Sequence, residues 1–526
     1  RLFSFNRNYG LRWNFFKALS FDYSVRANAV IDESDDFVEG DITTSAERDY
    51  ILDQILNLGR MKNYNQNASL NLKLPFDKIP ITDWISSDVR YAVSYGWVTG
   101  SLNQEDSLGN SFGNIINNSS DKSLTGKIDM VKLYNKVPFL KTINTPARSN
   151  RPSSSVSKEE KAETSLSSSL IVGKGILRLL MAIRSVNFNY GIKQTTNLSG
   201  FLPAPSLFGM DSLWSAPGWG FLFGEQDAAI RFTAAEQGWI TQTPFLTSPF
   251  MQSSTRNLSF NASIEPFKGL KIQLNGKRTS AGRYQEIFRY NSEIQEFGSL
   301  TPSRSGSYSI SYLTIKSAFE AQTQMVNGVE FERSSAFDQF KENIDIISGR
   351  LSNSLEASGI SDRYDTISQD ILVPAFLAAY TGENAENAPM GVFPRIPIPN
   401  WRIDFAGLSK LPGLKDVFSS VNLTHSYRSI FSVNNYTNSL LYTEQMTLDN
   451  QLTDYPLASL TDSITGKLVP VYILNQVSIL EQFAPLIGIN IKTKTNLSAS
   501  FNYKRDRNLA LNLSNAQVTE TQNSGV

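Results

Sequence analysis

The chain has 526 residues with 49 basic and 49 acidic side chains, so its formal net charge is zero. Without a basic surplus to neutralise a phosphate backbone, the composition argues against a nucleic-acid partner. The absence of cysteine from the sequence excludes disulfides, thiolate zinc sites and cysteine nucleophiles. No uncharged apolar run reaches the roughly 18 residues that a transmembrane helix needs. The sequence opens at Arg1 directly in strand-like sequence, so we expect an interior fragment whose missing signal peptide is uninformative.

Alternation of apolar and polar residues predicts β-strands along most of the chain, because successive side chains of a strand point to opposite faces. The first pair of strands covers residues 11–15 and 21–31. Further alternating stretches lie at 68–74, 89–97, 177–190, 258–264, 270–274, 283–290, 308–315, 401–405, 421–427, 487–491, 497–503 and 509–513. We count roughly fourteen to sixteen strands of about ten residues each, the length that crosses a bilayer.

The clearest hairpin lies at residues 256–275, where two alternating strands flank a turn that contains Pro266 and Gly269. We expect the apolar set to face lipid and the polar set, Asn257 to Ser263 and Lys271 to Asn275, to face a water-filled lumen. The apolar set is Leu258, Phe260, Ala262, Ile264, Leu270, Ile272 and Leu274.

Long excursions separate many of the strands. We predict them at 32–64, 100–124, 195–254 and 317–400, with short helical segments near 47–58 and 374–380. Residues 147–170 are rich in Ser, Lys and Glu without periodicity, which predicts disorder. We also predict a turn at 482–485.

The short turns resemble one another, since most of them place a lysine beside a proline or glycine. These lysines are Lys17, Lys78, Lys136, Lys268 and Lys410. Short turns at one end and long loops at the other are typical of an outer-membrane β-barrel, with short periplasmic turns and long extracellular loops. A soluble sandwich or propeller also alternates, but it rarely combines so many strands with connections this unequal.

Aromatic residues near predicted strand ends fit the girdles that flank the apolar band of such a barrel. They are Trp13, Trp97, Trp401, Tyr427 and Tyr503. A further aromatic-rich loop at 201–224 either packs inside the barrel mouth or forms a docking surface, and the sequence leaves both open.

Catalytic motifs find no support in their sequence context. Residues 109–113 match the G-x-S-x-G nucleophile elbow, but the flanks of Ser111 are polar rather than a buried strand and a helix. His425 is the single histidine and alternates in phase with Leu423 and Tyr427, which favours a structural role near the membrane interface. We therefore predict no catalytic residues, no enzyme activity and no cofactor.

Metal and nucleotide sites are likewise not predicted. The acidic run at 32–41 offers oxygen ligands for calcium, but Gly40 is not at the sixth position of an EF-hand loop starting at Asp32 or Asp35, so a solvated loop is favoured. No phosphate-binding loop motif is present, and in the stretch from Gly218 the third glycine of G-x-G-x-x-G is replaced by Phe223.

Seven long stretches carry a family resemblance. They are FNRNYGLRWNF (5–15), GRMKNYNQN (59–67), LPFDKIPITDW (74–84), FLPAPSLFG (201–209), APGWGFLFG (216–224), SAGRYQE (280–286) and VPAFLAAYTG (373–382). In this order they resemble the C-terminal part of the SprA/Sov family, the outer-membrane translocon of the type IX secretion system of Bacteroidota. Agreement is poorest at 101–125, 147–172, 320–340 and 440–470.

The resemblance implies an all-β fold in which residues 1–526 are part of one very large antiparallel transmembrane β-barrel with a few short helices. It further implies a protein-conducting channel in the outer membrane of a Gram-negative bacterium that exports folded cargo. The implied partners are a PorV-type shuttle barrel, a plug protein, a periplasmic prolyl isomerase, other type IX components and outer-membrane lipid. The alternative is an outer-membrane receptor or adhesin whose extracellular loops carry the binding function.

Overall fold

The computed structural model describes residues 3–31, 45–56, 58–101, 105–144, 181–320, 323–326, 329–332, 334–357, 364–442 and 460–526. The acidic run at 32–41 and the predicted disordered stretch at 147–170 lie outside these residues. So do positions 177–180 of one predicted strand.

The described residues form seventeen strands and a smaller number of helices. The strands are β1 (Phe3–Phe16), β2 (Leu19–Ile31), β3 (Arg60–Leu74), β4 (Ile85–Val98), β5 (Asn114–Asp129), β6 (Ile183–Phe201), β7 (Phe250–Ile264), β8 (Leu270–Asn291), β9 (Glu296–Ser311), β10 (Thr323–Val326), β11 (Val329–Glu332), β12 (Asn400–Phe405), β13 (Phe418–Asn438), β14 (Tyr472–Leu474), β15 (Gln476–Thr493), β16 (Ser498–Asn512) and β17 (Gln517–Gly525). The α-helices are α1 (Ser45–Leu56), α2 (Met130–Asn135), α3 (Pro138–Asn144), α4 (Trp219–Leu222), α5 (Ile230–Glu236), α6 (Ser335–Ala357), α7 (Gln369–Thr381) and α8 (Leu414–Val417). None of the described helices is long and apolar enough to cross a membrane.

Fifteen strands form one antiparallel sheet, which confirms the predicted all-β architecture and lies within the predicted strand count. Neighbours follow the order β1-β2-β3-β4-β5-β6-β7-β8-β12-β13-β15-β16-β17. Strand β9 also lies between β8 and β13, and β14 pairs with β13. Nearly every neighbour in space is therefore a neighbour in sequence, as in an up-and-down barrel wall.

The predicted hairpin at 256–275 is present as β7 and β8, with Ile264 opposite Ile272 across the short turn. The five predicted turn lysines all lie in connections at one end of the sheet, which we call the turn end. There they occupy the connections β1–β2, β3–β4, β5–β6, β7–β8 and β12–β13. Strands run from the turn end to the opposite end and back.

The connections at the two ends of the sheet differ less in length than predicted. Residues 292–295 and 513–516 make short hairpins at the opposite end, where long loops were expected. Conversely, the β5–β6 connection at the turn end spans 130–182 and begins with helices α2 and α3.

Several predicted boundaries differ from the observed ones because polar residues pair in the sheet. Strand β5 begins at Asn114, inside the predicted excursion 100–124, and β6 continues to Phe201, inside the predicted excursion 195–254. Strand β3 similarly begins at Arg60. The turn predicted at 482–485 is wrong, since β15 runs through Pro485 with a register shift between Phe483 and Ile487. A shift of this kind is where a sheet tolerates proline.

The sheet has one apolar face and one polar face, and cross-strand partners share a face. Phe260 lies opposite Phe188, and Asn261 lies opposite Asn187 and Asn275, as the alternation predicts. The apolar face at the turn end includes Leu72, Tyr91, Phe188, Phe260 and Ile272. The polar face includes Asn67, Ser94, Asn187, Asn261 and Asn275.

One position in the wall is filled by two separate strands that run in the same direction. Strand β8 pairs with β9 over Arg278–Asn291 and with β12 over Leu270–Asn275. Strand β13 likewise pairs with both β9 and β12. The chain leaves the wall after Ser311 and re-enters at Asn400, so the excursion predicted at 317–400 departs from the middle of a strand position.

Candidate functional site

The polar face is lined by small amide and hydroxyl side chains and by charges of both signs. A cleft of about 940 Å³ on this face is lined by Arg12, Asp22, Arg90, Asp121 and Lys193, together with Asn and Ser residues. A second cleft of about 680 Å³ lies among Asn8, Asn65, Asn67 and Asn117. Arg12 and Asp22 form an ion pair across β1 and β2. Such a surface is suited to contact with water rather than with acyl chains.

Residues 202–249, which we call the first cover segment, pack on the apolar face at the end opposite the turns. Asn118 of β5 donates from Nδ2 to the carbonyl oxygens of Phe221 and Glu225, at 2.9 and 2.8 Å. Trp97 of β4 donates from Nε1 to the carbonyl oxygen of Pro203 at 3.0 Å. Polar atoms of the sheet are thereby satisfied by the cover segment instead of by water.

A buried ion pair anchors the first cover segment to β8. Arg231 of α5 contacts Glu286, and both side chains are fully buried. Tyr284 donates from its hydroxyl to Oε2 of Glu286 at 2.6 Å, and the guanidinium of Arg231 lies 4.9 Å from the ring centre of Phe250. Two charges removed from water in this way require each other, because either one alone is strongly disfavoured in the interior.

The described residues of the stretch 312–399, which we call the second cover segment, occupy the same face over β9, β13, β15 and β16. Every residue of α7 is buried. Glu481 of β15 accepts hydrogen bonds at Oε1 from the hydroxyls of Tyr427 and Thr314, both at 2.7 Å. Arg507 of β16 lies 2.9 Å from Oε2 of Glu481 and donates to the carbonyl oxygen of Ser317 at 2.6 Å. Each cover segment thus contacts a buried Arg–Glu pair: Arg231 of the first cover segment is itself a member, whereas Thr314 and Ser317 of the second bond to a pair within the wall.

The point where the second cover segment leaves the wall is closed by two side chains. Ser311 accepts at Oγ from the backbone N–H of Lys277 in β8 at 2.9 Å, and Asn400 accepts at Oδ1 from that of Ser429 in β13 at 2.7 Å. Asn400 also donates from Nδ2 to Oγ of Ser311 at 3.3 Å. These side chains take the place of strand backbone where β9 stops and β12 begins. The backbone N–H groups of Lys277 and Ser429 therefore have acceptors and do not form an open strand edge.

Removal of the Asn400 amide is expected to lower stability at this junction. In Asn400→Ala the buried N–H of Ser429 loses its acceptor, which should cost about 1–3 kcal/mol. The measurement is the hydrogen-exchange rate of the Ser429 amide together with denaturant unfolding. Asn490→Ala, an exposed position on the neighbouring strand β15, should leave both unchanged. Equal loss in the two variants would contradict the closing role of Asn400.

The loop between β4 and β5 is held against the first cover segment by Asp106. Burial alone would raise the pKa of Asp106, but hydrogen bonds from the Thr243 hydroxyl and from Asn110 and Leu108 lower that pKa to about 2. The backbone N–H groups of Leu108 and Asn110 lie 2.8 and 2.9 Å from Oδ1. The charged carboxylate is therefore the form that orders the loop.

We expect this loop to loosen in acid. Because the folded-state pKa of Asp106 is below its ordinary value of 3.8, its stabilising contribution is present above that value and is lost as pH falls toward 2. Amide exchange at Leu108 and Asn110, corrected for intrinsic rates, should accelerate over this interval. Asp106→Ala should exchange fast at all pH values, and a wild-type loop equally protected at pH 4 and pH 2 would contradict the assignment.

The residues of the rejected hydrolase motif are not brought together. Ser111 accepts at Oγ from the N–H of Gly113, and its carbonyl oxygen accepts from the Thr241 hydroxyl. His425 lies in β13 with Nδ1 at 2.7 Å from the carbonyl oxygen of Leu486. Within the described residues, no group of three or more His, Asp or Glu side chains is placed to hold a metal ion.

Two of the five predicted girdle aromatics have another role. Trp97 is buried under Pro203, and Tyr427 is buried beside Glu481, so the girdle prediction is wrong for both. Loop 201–224 packs on the apolar face that carries Tyr95 and Phe250. The two alternatives for this loop, a filled barrel mouth or a docking surface, stay predictions.

Sequence reasoning missed Glu286, Glu481 and Arg507 as anchors. Each is in phase with apolar neighbours, for example Arg507 with Leu509 and Leu511, which are fully buried. The available signal was a charged residue at an alternating position where the other residues are apolar. It indicates a buried partner, since a lone charge on such a face is costly.

A continuous antiparallel wall with one apolar and one polar face is the architecture from which outer-membrane-type β-barrels are built. No family model matches the chain, and neither does any curated protein. Among solved structures the chain is similar to the copper transporter OprC, at 7% identity and a TM-score of 0.24, covering 98% of this chain and 61% of that one. It is also similar to the outer-membrane transporter YddB from Escherichia coli, at 6% identity and a TM-score of 0.25, covering 98% and 56%.

A third similar structure is the siderophore receptor PirA from Acinetobacter baumannii, at 9% identity and a TM-score of 0.22, covering 100% of this chain and 64% of that one. The chain thus spans roughly three fifths of the length of these proteins. TM-scores this low do not define a shared topology.

Proposed function

We propose that this chain forms part of the wall of a protein-conducting channel, the outer-membrane translocon of a type IX secretion system in a Bacteroidota-type bacterium. The observation that carries the proposal is the polar face. Along β3, β6 and β7 it presents mostly Asn, Ser and Thr side chains, with charges that include Lys73 and Lys193. Such a lining offers water and weak hydrogen bonds, so a folded cargo passes without a site that retains it.

The positions of the family motifs support the same proposal. The stretch 201–209, after its first residue, and the stretch 216–224 belong to the first cover segment. The stretch 280–286 ends in its anchor Glu286, and 373–382 covers most of the buried helix α7 and the glycine that follows it. The resemblance therefore falls on the contacts that define this wall, where chemistry constrains residue choice most. The proposed partners are a PorV-type shuttle barrel, a plug protein and periplasmic components including a prolyl isomerase.

The proposal is tested by photo-crosslinking in cells that secrete a type IX cargo. A photoreactive residue at Asn261, on the polar face, should capture cargo when export is stalled. The same residue at Phe260, one position away on the apolar face, should capture none. Cargo captured equally at both positions, or at neither, would overturn the proposal.

The receptor or adhesin alternative places the function on the cover segments instead. Under it, a photoreactive residue at Asn261 captures no protein in transit, and an exterior ligand is captured at exposed positions of the cover segments. Co-purification of the full-length protein with neither a shuttle barrel nor a plug would favour this alternative.

A further inference from the structure

The first cover segment exposes a cluster of apolar side chains that we call the aromatic patch: Phe208, Leu213, Trp214, Trp219 and Phe223. The rings of Trp214 and Trp219 lie 6.0 Å apart, and those of Trp219 and Phe223 lie 5.9 Å apart. Leu213 is 81% exposed. A contiguous exposed cluster of this kind marks a contact surface rather than a chance exposure of single residues.

The patch is held in place by the fold and is not a loose loop. Asp211 accepts at Oδ1 from the backbone N–H groups of Ser215 and Ala216, at 2.7 and 3.0 Å, which fixes the turn that presents Leu213 and Trp214. In α4, Phe221 and Leu222 are buried against the wall while Trp219 faces outward, as does Phe223 directly after the helix.

The patch continues directly into the apolar face of the wall. The Phe208 ring lies 6.3 Å from that of Tyr23 in β2, and the Tyr91 hydroxyl of β4 donates to the carbonyl oxygen of Phe223 at 2.6 Å. Tyr23 and Tyr91 are the last residues of the apolar face left uncovered in their strands. The next residues on that face, Val25 and Val93, are buried beneath the cover.

In β4 and β7, two strands that the first cover segment overlies, the uncovered part of the apolar face is too short to span a bilayer alone. In β4 it extends over residues 85–91 and in β7 over residues 258–264. Seven residues at about 3.3 Å each, tilted by about 40°, give roughly 18 Å of height, against the roughly 25 Å apolar band of outer-membrane barrels. The turn lysines, such as Lys17 and Lys268, set a water boundary at the other end, so the missing height lies on the side of the cover.

We infer that the aromatic patch completes the membrane-facing surface by sitting at the headgroup and acyl boundary of the outer leaflet. Tryptophan favours this boundary because its ring is apolar while its N–H remains able to bond. The first cover segment therefore serves as part of the hydrophobic belt. The apolar surface that faces lipid is taller here than the uncovered strands alone would provide. The inference rests on the outer-membrane placement proposed above.

A single-cysteine labelling experiment tests the inference, since residues 1–526 contain no cysteine and any cysteine elsewhere in the full-length protein is first replaced by serine. A polarity-sensitive dye is attached to Leu213→Cys in the purified full-length protein, which is reconstituted in phosphatidylcholine vesicles. Its emission should shift to the blue and be lost mostly to nitroxide placed high on the acyl chain. Phe260→Cys should be quenched by nitroxide placed deep on the acyl chain. Glu236→Cys, exposed on the same cover segment, should be quenched by aqueous iodide only.

Each remaining outcome contradicts a different statement. Quenching of the Leu213→Cys dye by iodide, with the Phe260→Cys dye still quenched by lipid, would overturn the inference and leave the barrel intact. Failure of lipid quenching at both positions would overturn the membrane placement itself. Shielding of the Leu213→Cys dye only in the presence of a co-purified protein would overturn the lipid contact in favour of a protein contact.

Discussion

Glu286→Leu is expected to detach the first cover segment from the wall, with a loss of about 3–5 kcal/mol in its free energy of opening. The loss arises because Arg231 stays buried without its carboxylate partner, while the Tyr284 hydroxyl also loses its acceptor. The measurement is hydrogen exchange over residues 202–249, where protection should fall about 100-fold or more. Limited proteolysis should cut this segment in the variant and spare it in the wild-type protein.

Two further variants separate a buried charge from a general loss of contacts. Adding Arg231→Met to Glu286→Leu should restore most of the protection, because an apolar pair of similar volume removes the buried charge that has lost its carboxylate. Glu265→Leu breaks the Arg184–Glu265 pair, which is solvent-exposed at the turn end, and should cost less than about 1 kcal/mol. Equal effects of Glu265→Leu and Glu286→Leu would contradict the anchor.

Strand existence and pairing were largely predictable because they depend on local order in the chain. The β7–β8 hairpin shows why: its alternation specifies the faces, and its short turn specifies that Ile264 lies opposite Ile272. A shift by one residue would place Asn261 on the apolar face, so the pattern excludes such a shift, and the short turn limits the larger ones.

Strand limits under the cover segments were not predictable, since they depend on contacts between residues far apart in sequence. Around Asn118 and Ser120 the residues of both alternating sets are polar, so the sequence predicts a loop in this stretch. In the structure Asn118 bonds Phe221 and Glu225, more than one hundred positions away. A polar residue is compatible with the apolar face only where such a partner covers it.

The position in the sheet that β9 and β12 share could not be predicted from the sequence either. Nothing near Ser311 or Asn400 indicates that the two residues meet, because the second cover segment separates them in sequence. The helix α7 was partly predictable from the apolar residues 374–380, whereas α6 has polar residues on its outer side and was missed. The sequence therefore indicates which segments are strands, and the structure is needed to see which excursions lie against them.

Phe260→Arg is expected to lower the stability of the wall in a bilayer by about 2–4 kcal/mol. Phe260 lies in the middle of the uncovered apolar face, opposite Phe188, and its ring lies over Gly276, where a Cβ would overlap the ring. A guanidinium at this position must either enter acyl chains or draw water toward them.

Asn261→Arg, the adjacent position on the polar face, is the matched control. Its neighbours across the strands are Asn187 and Asn275, and we expect a change of less than about 1 kcal/mol because the added charge remains in water. Denaturant unfolding of both variants from lipid vesicles measures the difference. If Asn261→Arg were as damaging as Phe260→Arg, the polar face would not be in contact with water, and the channel interpretation would fail together with the face assignment.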